Sequence, residues 1–301
     1  MKVKSGYVSI IGKPNVGKST LMNAFLGQKL SIITSKPQTT RKKILGILST
    51  EEYQVIFVDT PGILKPDYLL QEKMLDFVFQ AVKDADVLIF IIDIAADPEG
   101  RYTLEDEKVQ EILSKIKKKK ILLLNKVDLS NDATVKYLLK KCESLNIFDD
   151  IFPISALLNF NTQNILEKII EYLPEHPKYF PDDQISDANE RFFVSEIIRQ
   201  NILEKYKEEI PYSIEVVIED FKERKDRKDF IQAVILVERE SQKPIIIGKR
   251  GSAIKELGKF AREEIEAFLQ KPVYLELRVK VREKWRSDPK QLKSFGYSVD
   301  E

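Results

Sequence analysis

Five short apolar runs punctuate the first half of the chain, and a polar loop or an amphipathic stretch follows each. YVSIIG from Tyr7, YQVIFVDT from Tyr53, DVLIFIID from Asp86, KKILLLNKVD from Lys119 and IFPISA from Ile151 have the length of buried strands. STLMNAFLG and DATVKYLLKKCESL carry a helical period instead. This alternation predicts an α/β domain, a mostly parallel sheet with helices on both faces.

The pattern breaks after residue 174. PEHPKYFPDDQISDAN holds three prolines and several acids without apolar periodicity, which predicts a linker over 175–189. Beyond it the order is a helix (ERFFVSEIIRQNILEKYK), two strands (YSIEVVIEDF and FIQAVILVERE) joined by ERKDRKD, then IIIGKRGSAIKELG, a long helix and a last strand, VYLELRVKV. Such an order predicts a smaller α+β domain over 190–282, after a first domain over 1–174 and before a tail over 283–301.

Composition agrees with two domains. The chain has 301 residues, 43% hydrophobic and 32% charged, enough for real cores beneath a highly charged surface. The net charge of +1 excludes no partner, because nucleic-acid binding depends on local patches. The single cysteine, Cys142, forms no internal disulfide and fits a reducing cytoplasm. No apolar run approaches the ~18 residues of a spanning helix, and the N-terminal residues enter a folded motif directly, so no signal peptide is expected. Any membrane contact is expected to be peripheral.

The chemistry begins at GKPNVGKS. Gly12, Lys13, Pro14, Asn15, Val16, Gly17, Lys18 and Ser19, with Thr20 behind them, fit G-x-x-x-x-G-K-[ST] between a predicted strand and a predicted helix. Glycines let backbone N–H groups close around phosphate oxygens, and the helix N-terminus adds partial positive charge. Lys18 is expected to reach the β- and γ-phosphates and Ser19 to ligate Mg²⁺. In VDTPG, Asp59 can hold the same ion and the Gly62 N–H can meet the γ-phosphate. NKVD closes a strand: the Asp128 carboxylate can accept two hydrogen bonds from guanine, a donor pair adenine lacks. Lys126 can lie over the base, Asn125 can tie its loop to the phosphate loop, and Ser155 and Ala156 supply a further contact.

This series resembles the GTPases that include translation factors and small G proteins. The resemblance implies that PQTTR, from Pro37 to Arg41, is a switch whose Thr40 ligates Mg²⁺ in the GTP state, with adjacent Thr39 the competing choice. It also exposes a departure: Ile63 stands where Ras-like GTPases place the glutamine that orients water. Hydrolysis is therefore expected to be slow and to use water held by other atoms. GTPases with an apolar residue there and an asparagine at the Asn15 position often use K⁺, so Asn15 is a candidate K⁺ ligand beside the transferring phosphate, with turn geometry as its plainer role. The candidate catalytic set is Asn15, Lys18, Thr40 and Gly62.

The second glycine loop lacks the Lys-Ser or Lys-Thr of a phosphate loop. Gly248-Lys249-Arg250-Gly251 instead fits the helix-GxxG-helix unit of a KH domain, where the loop clamps a single-stranded backbone over an apolar groove. Lys249 and Arg250 face phosphates on this reading, Ser252 opens the next helix, and Ile246, Ile247 and Ile254 are candidates for the groove floor, with core packing the alternative for each. A ligand-free helix turn is the plainer alternative for the loop.

GKPNVGKS, PQTTR, VDTPG, NKVD, ERFFVSEIIR, LVERE and IIIGKRGSAIKELG together resemble the Era family across nearly the whole chain. That resemblance implies a bacterial GTPase, a monomer, that binds 16S rRNA near its 3′ end through a type II KH domain and assists assembly of the small (30S) ribosomal subunit. It also implies a cytoplasmic protein with peripheral association at the inner membrane. A signalling switch whose second domain docks a protein is the competing function, and an ATP-dependent kinase is undercut by NKVD. Elsewhere, the KIKKKK run from Lys115 to Lys120 reads as a solvated helix end, His176 as exposed, and Cys142 as packing. Trp285 is expected either to cap the small core or to stack on a base.

Overall fold

β-branched and leucine runs bounded by turn residues give the first unit its strands. The computed structural model describes residues 3–225 and 227–298, in two units, the second made of Ala188–Ser298 together with Tyr68–Leu70. The first unit holds β1 (Val3–Gly12), β2 (Ile44–Ser49), β3 (Tyr53–Asp59), β4 (Val87–Asp93), β5 (Lys119–Asn125), β6 (Asp150–Ile154) and β7 (Glu175–His176). They form one sheet in the order β2-β3-β1-β4-β5-β6, with β7 paired to β1. All neighbours are parallel except β2 against β3 and β7 against β1. Strand β4, VLIFIID, is buried at every position because helices cover both faces.

The order has a functional consequence. A parallel sheet brings the C-terminal ends of β1, β3, β4, β5 and β6 to one edge, and there the chain reverses into loops that can close on a ligand. The helix Lys18–Leu26 begins directly after the β1 loop, with Gly17 as its N-cap.

The segment 175–189, expected as a linker, lies along the first unit as far as Asp187. β7 extends the sheet, Gln54 Oε1 accepts from the Tyr179 and Phe180 N–H groups, and Ser186 Oγ donates to the Leu45 carbonyl at 2.7 Å. His176 is exposed and stacks on Tyr179.

The second unit builds a three-stranded sheet from β8 (Glu215–Lys222), β9 (Asp229–Val237) and β10 (Val273–Val281), in the order β10-β9-β8. β9 pairs parallel to β10 and antiparallel to β8. Helices Glu190–Lys205 and Ser252–Leu269 bury Val194, Ile198 and Ile202, and Leu257, Ala261 and Ile265, in one core with Ile231, Ala233 and Ile235 of β9. That spacing of four residues is what lays an apolar stripe on a sheet.

The described part of the expected tail is folded into this unit. Trp285 is fully buried, its indole N–H donates to the Ser213 carbonyl at 3.0 Å, and Tyr297 donates to Glu215 at 2.8 Å. The tryptophan is core and offers no face to a base. Among the described residues no helix is long and apolar enough to cross a membrane.

Candidate functional site: a phosphate loop and a GxxG loop

Gly12 ends β1 at φ +154°, where an added Cβ would sit 2.6 Å from the Ile91 carbonyl. Gly17 takes φ +101°, and a Cβ there would meet Asn125 Nδ2 at 2.3 Å. The loop between them can therefore be this tight only with glycine at both ends. Lys18 folds into the loop and donates to the carbonyls of Gly12 at 3.3 Å and Lys13 at 2.9 Å. Burial lowers its ammonium to about 8, against a smaller opposing pull from Asp59.

A pH dependence follows. Phosphate stabilises the charged form, so the lysine's pKa is higher with nucleotide bound than without. Affinity is then full below about pH 8 and falls as pH rises through that value. GDP is expected to bind about tenfold more weakly at pH 9 than at pH 7, as titration calorimetry at the two values would show; a flat profile would contradict it.

Three oxygens meet beside Lys18. Ser19 Oγ donates to Asp59 Oδ2 at 2.6 Å and lies 3.0 Å from Thr40 Oγ1, which in turn is 3.4 Å from the same carboxylate oxygen. Asp59 is fully buried, its Oδ1 makes no hydrogen bond, and burial raises its carboxyl above the usual range. A buried carboxylate with an unused oxygen beside two hydroxyls is the hard-oxygen donor set that Mg²⁺ takes, so the residues fit that ion. The Thr39 hydroxyl donates to the Lys36 carbonyl of its own loop at 2.6 Å.

Gly62 packs against the phosphate loop, and a Cβ would sit 2.7 Å from the Pro14 nitrogen. The next residue, Ile63, donates its N–H to the Gly12 carbonyl and buries its side chain in the core. Asn125 clamps two loops: Nδ2 donates to the Val16 carbonyl at 2.7 Å and Oδ1 accepts from the Ala156 N–H at 3.0 Å. Lys126 donates to the Asn15 carbonyl and pairs with Asp93 at 2.6 Å. Asp128 is exposed, and Ser155 is buried and holds the Leu158 N–H.

A cavity of about 430 Å³ collects Pro14, Asn15, Gly17, Lys18, Ser19, Thr20, Thr40, Gly62 and Lys126 on one wall or another. Ile32, Ile33, Thr34 and Ser35 line it from the segment before PQTTR, and Gln38 and Thr39 from PQTTR itself. Asp128, Ser155 and Ala156 lie outside this lining. Lys13 departs from expectation: its backbone belongs to the loop, but its ammonium turns out of the cavity to Asp106 at 2.7 Å. Asp93 and Asp106 carried no local signal, because each acts on a residue distant in sequence.

In the second unit, the helix Lys243–Ile247 ends at Gly248, with φ +73°, and Gly251 has φ +77°. A Cβ on Gly248 would lie 2.5 Å from that of Ala253, whereas Gly251 faces open space. Lys249, Arg250 and Ser252 are exposed at the tip. Ile246 is fully buried in the core, with its carbonyl taking the Tyr206 hydroxyl, so it is no groove floor; a short helix can turn only one of three successive isoleucines fully inward.

Ile247 and Ile254 are half-buried, and Ile254 lines a groove of about 530 Å³ with Gly258, Leu275 and Leu277. Lys255, Lys259 and Arg262 line it too, from one face of the long helix. Sequence reasoning missed these three, although their spacing of four and three residues in IKELGKFAR carries the signal.

The first unit thus has the parts of a guanine-nucleotide hydrolase and the second those of a KH domain. Two family descriptions match: "50S ribosome-binding GTPase" over residues 7–126 and "KH domain" over residues 209–286. GTPase Era of Clostridium kluyveri is 44% identical over 297 residues, covering 98% of this chain and 99% of that one. A crystal structure of Era in complex with MgGDPNP and nucleotides 1506–1542 of 16S ribosomal RNA is 40% identical, with a TM-score of 0.91 over 99% of this chain and 100% of that one. An Aquifex aeolicus Era variant bound to GDP·AlF4⁻ is 39% identical, with a TM-score of 0.89 over the same shares. The chain belongs to the Era family of GTPases.

Proposed function

We propose that this Era-family GTPase holds single-stranded 16S rRNA near its 3′ end in its KH unit during maturation of the small ribosomal subunit, and that its GTP state sets the RNA affinity. One observation carries the reading: an exposed Lys249-Arg250 tip beside an apolar-floored, lysine-lined groove, on a chain that matches the Era–RNA complex along 99% of its length. The basic groove favours RNA over a docked protein. The reading places the protein in the cytoplasm, with any inner-membrane attachment peripheral.

In the nucleotide site, Lys18 would neutralise β- and γ-phosphate charge and the Gly62 N–H would meet the γ-phosphate. Ser19, Thr40 and Asp59 would hold Mg²⁺, which when bound neutralises phosphate charge. The contacts favour Thr40 over Thr39: the Thr40 hydroxyl reaches Ser19 and Asp59, while the Thr39 hydroxyl donates to the Lys36 carbonyl. Buried Ile63 offers the water nothing, so main-chain groups must orient it and the intrinsic rate is slow.

Asn15 supports a K⁺ site. Its Nδ2 donates to the Ser35 carbonyl and the residue lines the phosphate cavity, so Oδ1 is the atom that would ligate a monovalent cation. GTP turnover is expected to be at least about tenfold faster in KCl than in NaCl, on the scale of one added charge-stabilising contact; equal rates in the two salts would discard the K⁺ role.

A ligand shifts an equilibrium only by binding one state better, so the γ-phosphate must order segments 31–41 and 63–67 in a way GDP does not. Fluorescence titration with the 3′-terminal segment of 16S rRNA is expected to give tighter binding with a non-hydrolysable GTP analogue than with GDP. Equal affinities would refute the switch, and no binding in either state would refute the RNA reading.

A further inference from the structure

The lysine that leaves the phosphate cavity is as informative as the one that stays. Lys13 is as buried as Lys18, at 6% exposure for each residue, yet its ammonium points to Asp106 and lies 3.6 Å from the centre of the Tyr102 ring. Asp106 is already engaged: its Oδ1 accepts the N–H groups of Lys108 and Val109 and caps the helix Glu107–Ser114, while Oδ2 takes Lys13.

The chain leading to Asp106 is fixed in turn. Asp93, at the end of β4, pairs with Lys126 and accepts the Ala95 and Ala96 N–H groups. Buried Asp97 accepts those of Tyr102 and Thr103. The segment from Asp93 to Asp106 therefore grips the guanine loop at one end and the phosphate loop at the other. Meanwhile the Lys13 carbonyl is the shorter of the two acceptors for Lys18.

We propose that Asp106 is a positioning residue for nucleotide binding: by anchoring the Lys13 side chain it fixes the Lys13 carbonyl, and with it the Lys18 ammonium, where the phosphates bind. This rests on the phosphate-loop reading of residues 12–19. A neutral residue at 106 would leave the buried ammonium without its counter-charge, with only the Tyr102 ring beside it, and the loop would move to solvate it.

The test uses Asp106→Asn, because asparagine caps a helix as well as aspartate, so its one oxygen can keep the cap while an NH2 group replaces the charged acceptor that held Lys13. GTP and GDP affinity by titration are expected to fall roughly tenfold, with KM raised and kcat within about twofold, the scale of coupling between groups in one network. Lys13→Met should cost a similar factor, the double variant should be no worse than Lys13→Met alone, and Lys13→Arg, which keeps the pair, should restore most of the affinity. Unchanged affinity in Asp106→Asn, or losses that multiply in the double variant, would overturn the proposal. Failure of the wild-type chain to bind GTP would instead remove the phosphate-loop reading and the proposal together.

Discussion

Replacing Asp128 by asparagine is expected to weaken GTP binding by roughly 10³-fold while creating affinity for xanthosine triphosphate, the range seen when a polar reader loses its matched partner. The carboxylate is an acceptor at both oxygens and faces two guanine donors, the ring N–H and the exocyclic amino group. An amide keeps one acceptor and turns a donor toward a donor, so one good contact is lost and one repulsive contact appears. Xanthine carries an oxygen in place of the amino group, and that oxygen accepts from the new amide. Asp128 is exposed in the short turn Val127–Leu129, so the exchange should leave the fold intact and move only the choice of base. Competition binding with GTP, XTP and ATP separates the outcomes. Undiminished GTP affinity would show that base recognition lies elsewhere.

The candidate residues of the GTP site could be named from sequence because phosphate, magnesium and guanine chemistry tolerate few residue types at few spacings. Gly12, Gly17 and Gly62 show why in coordinates: each would collide with backbone or with Asn125 if it carried a Cβ. What pattern could not separate were equal chemistries in adjacent positions. Thr39 and Thr40 differ only in which neighbour each hydroxyl meets, and Ile246 and Ile247 only in helix phase.

Long-range contacts were invisible for another reason. Lys13 finds Asp106 across 93 positions, and no local periodicity encodes that pairing. The 175–189 segment read as a linker because its prolines break periodicity. Its attachment pairs backbone groups with single distant side chains, as in the Tyr179 and Phe180 N–H groups on Gln54, which no local pattern reports.

Reversing both charges at the GxxG tip, with Lys249→Glu and Arg250→Glu together, is expected to weaken single-stranded RNA binding by at least about 100-fold near physiological salt, as two phosphate contacts become repulsive. Both side chains are exposed and stand apart from the core residues of the unit, so the cost to stability should be small. Arg250 does sit at φ +52°, a conformation any non-glycine residue strains to adopt, and glutamate there meets the same strain as arginine. The loss should therefore report charge and leave loop geometry in place.

Two further readouts distinguish a phosphate clamp from a general weakening. The slope of log affinity against log salt should become shallower by roughly the number of contacts removed, about 0.7 for each on a single strand. GTP affinity and turnover without RNA should stay at the wild-type level, since these residues belong to the second unit. If RNA affinity and its salt slope both survive, the two glycines serve only to turn one helix into the next. The basic face of Lys255, Lys259 and Arg262 in the groove would then be the place where the RNA backbone is held.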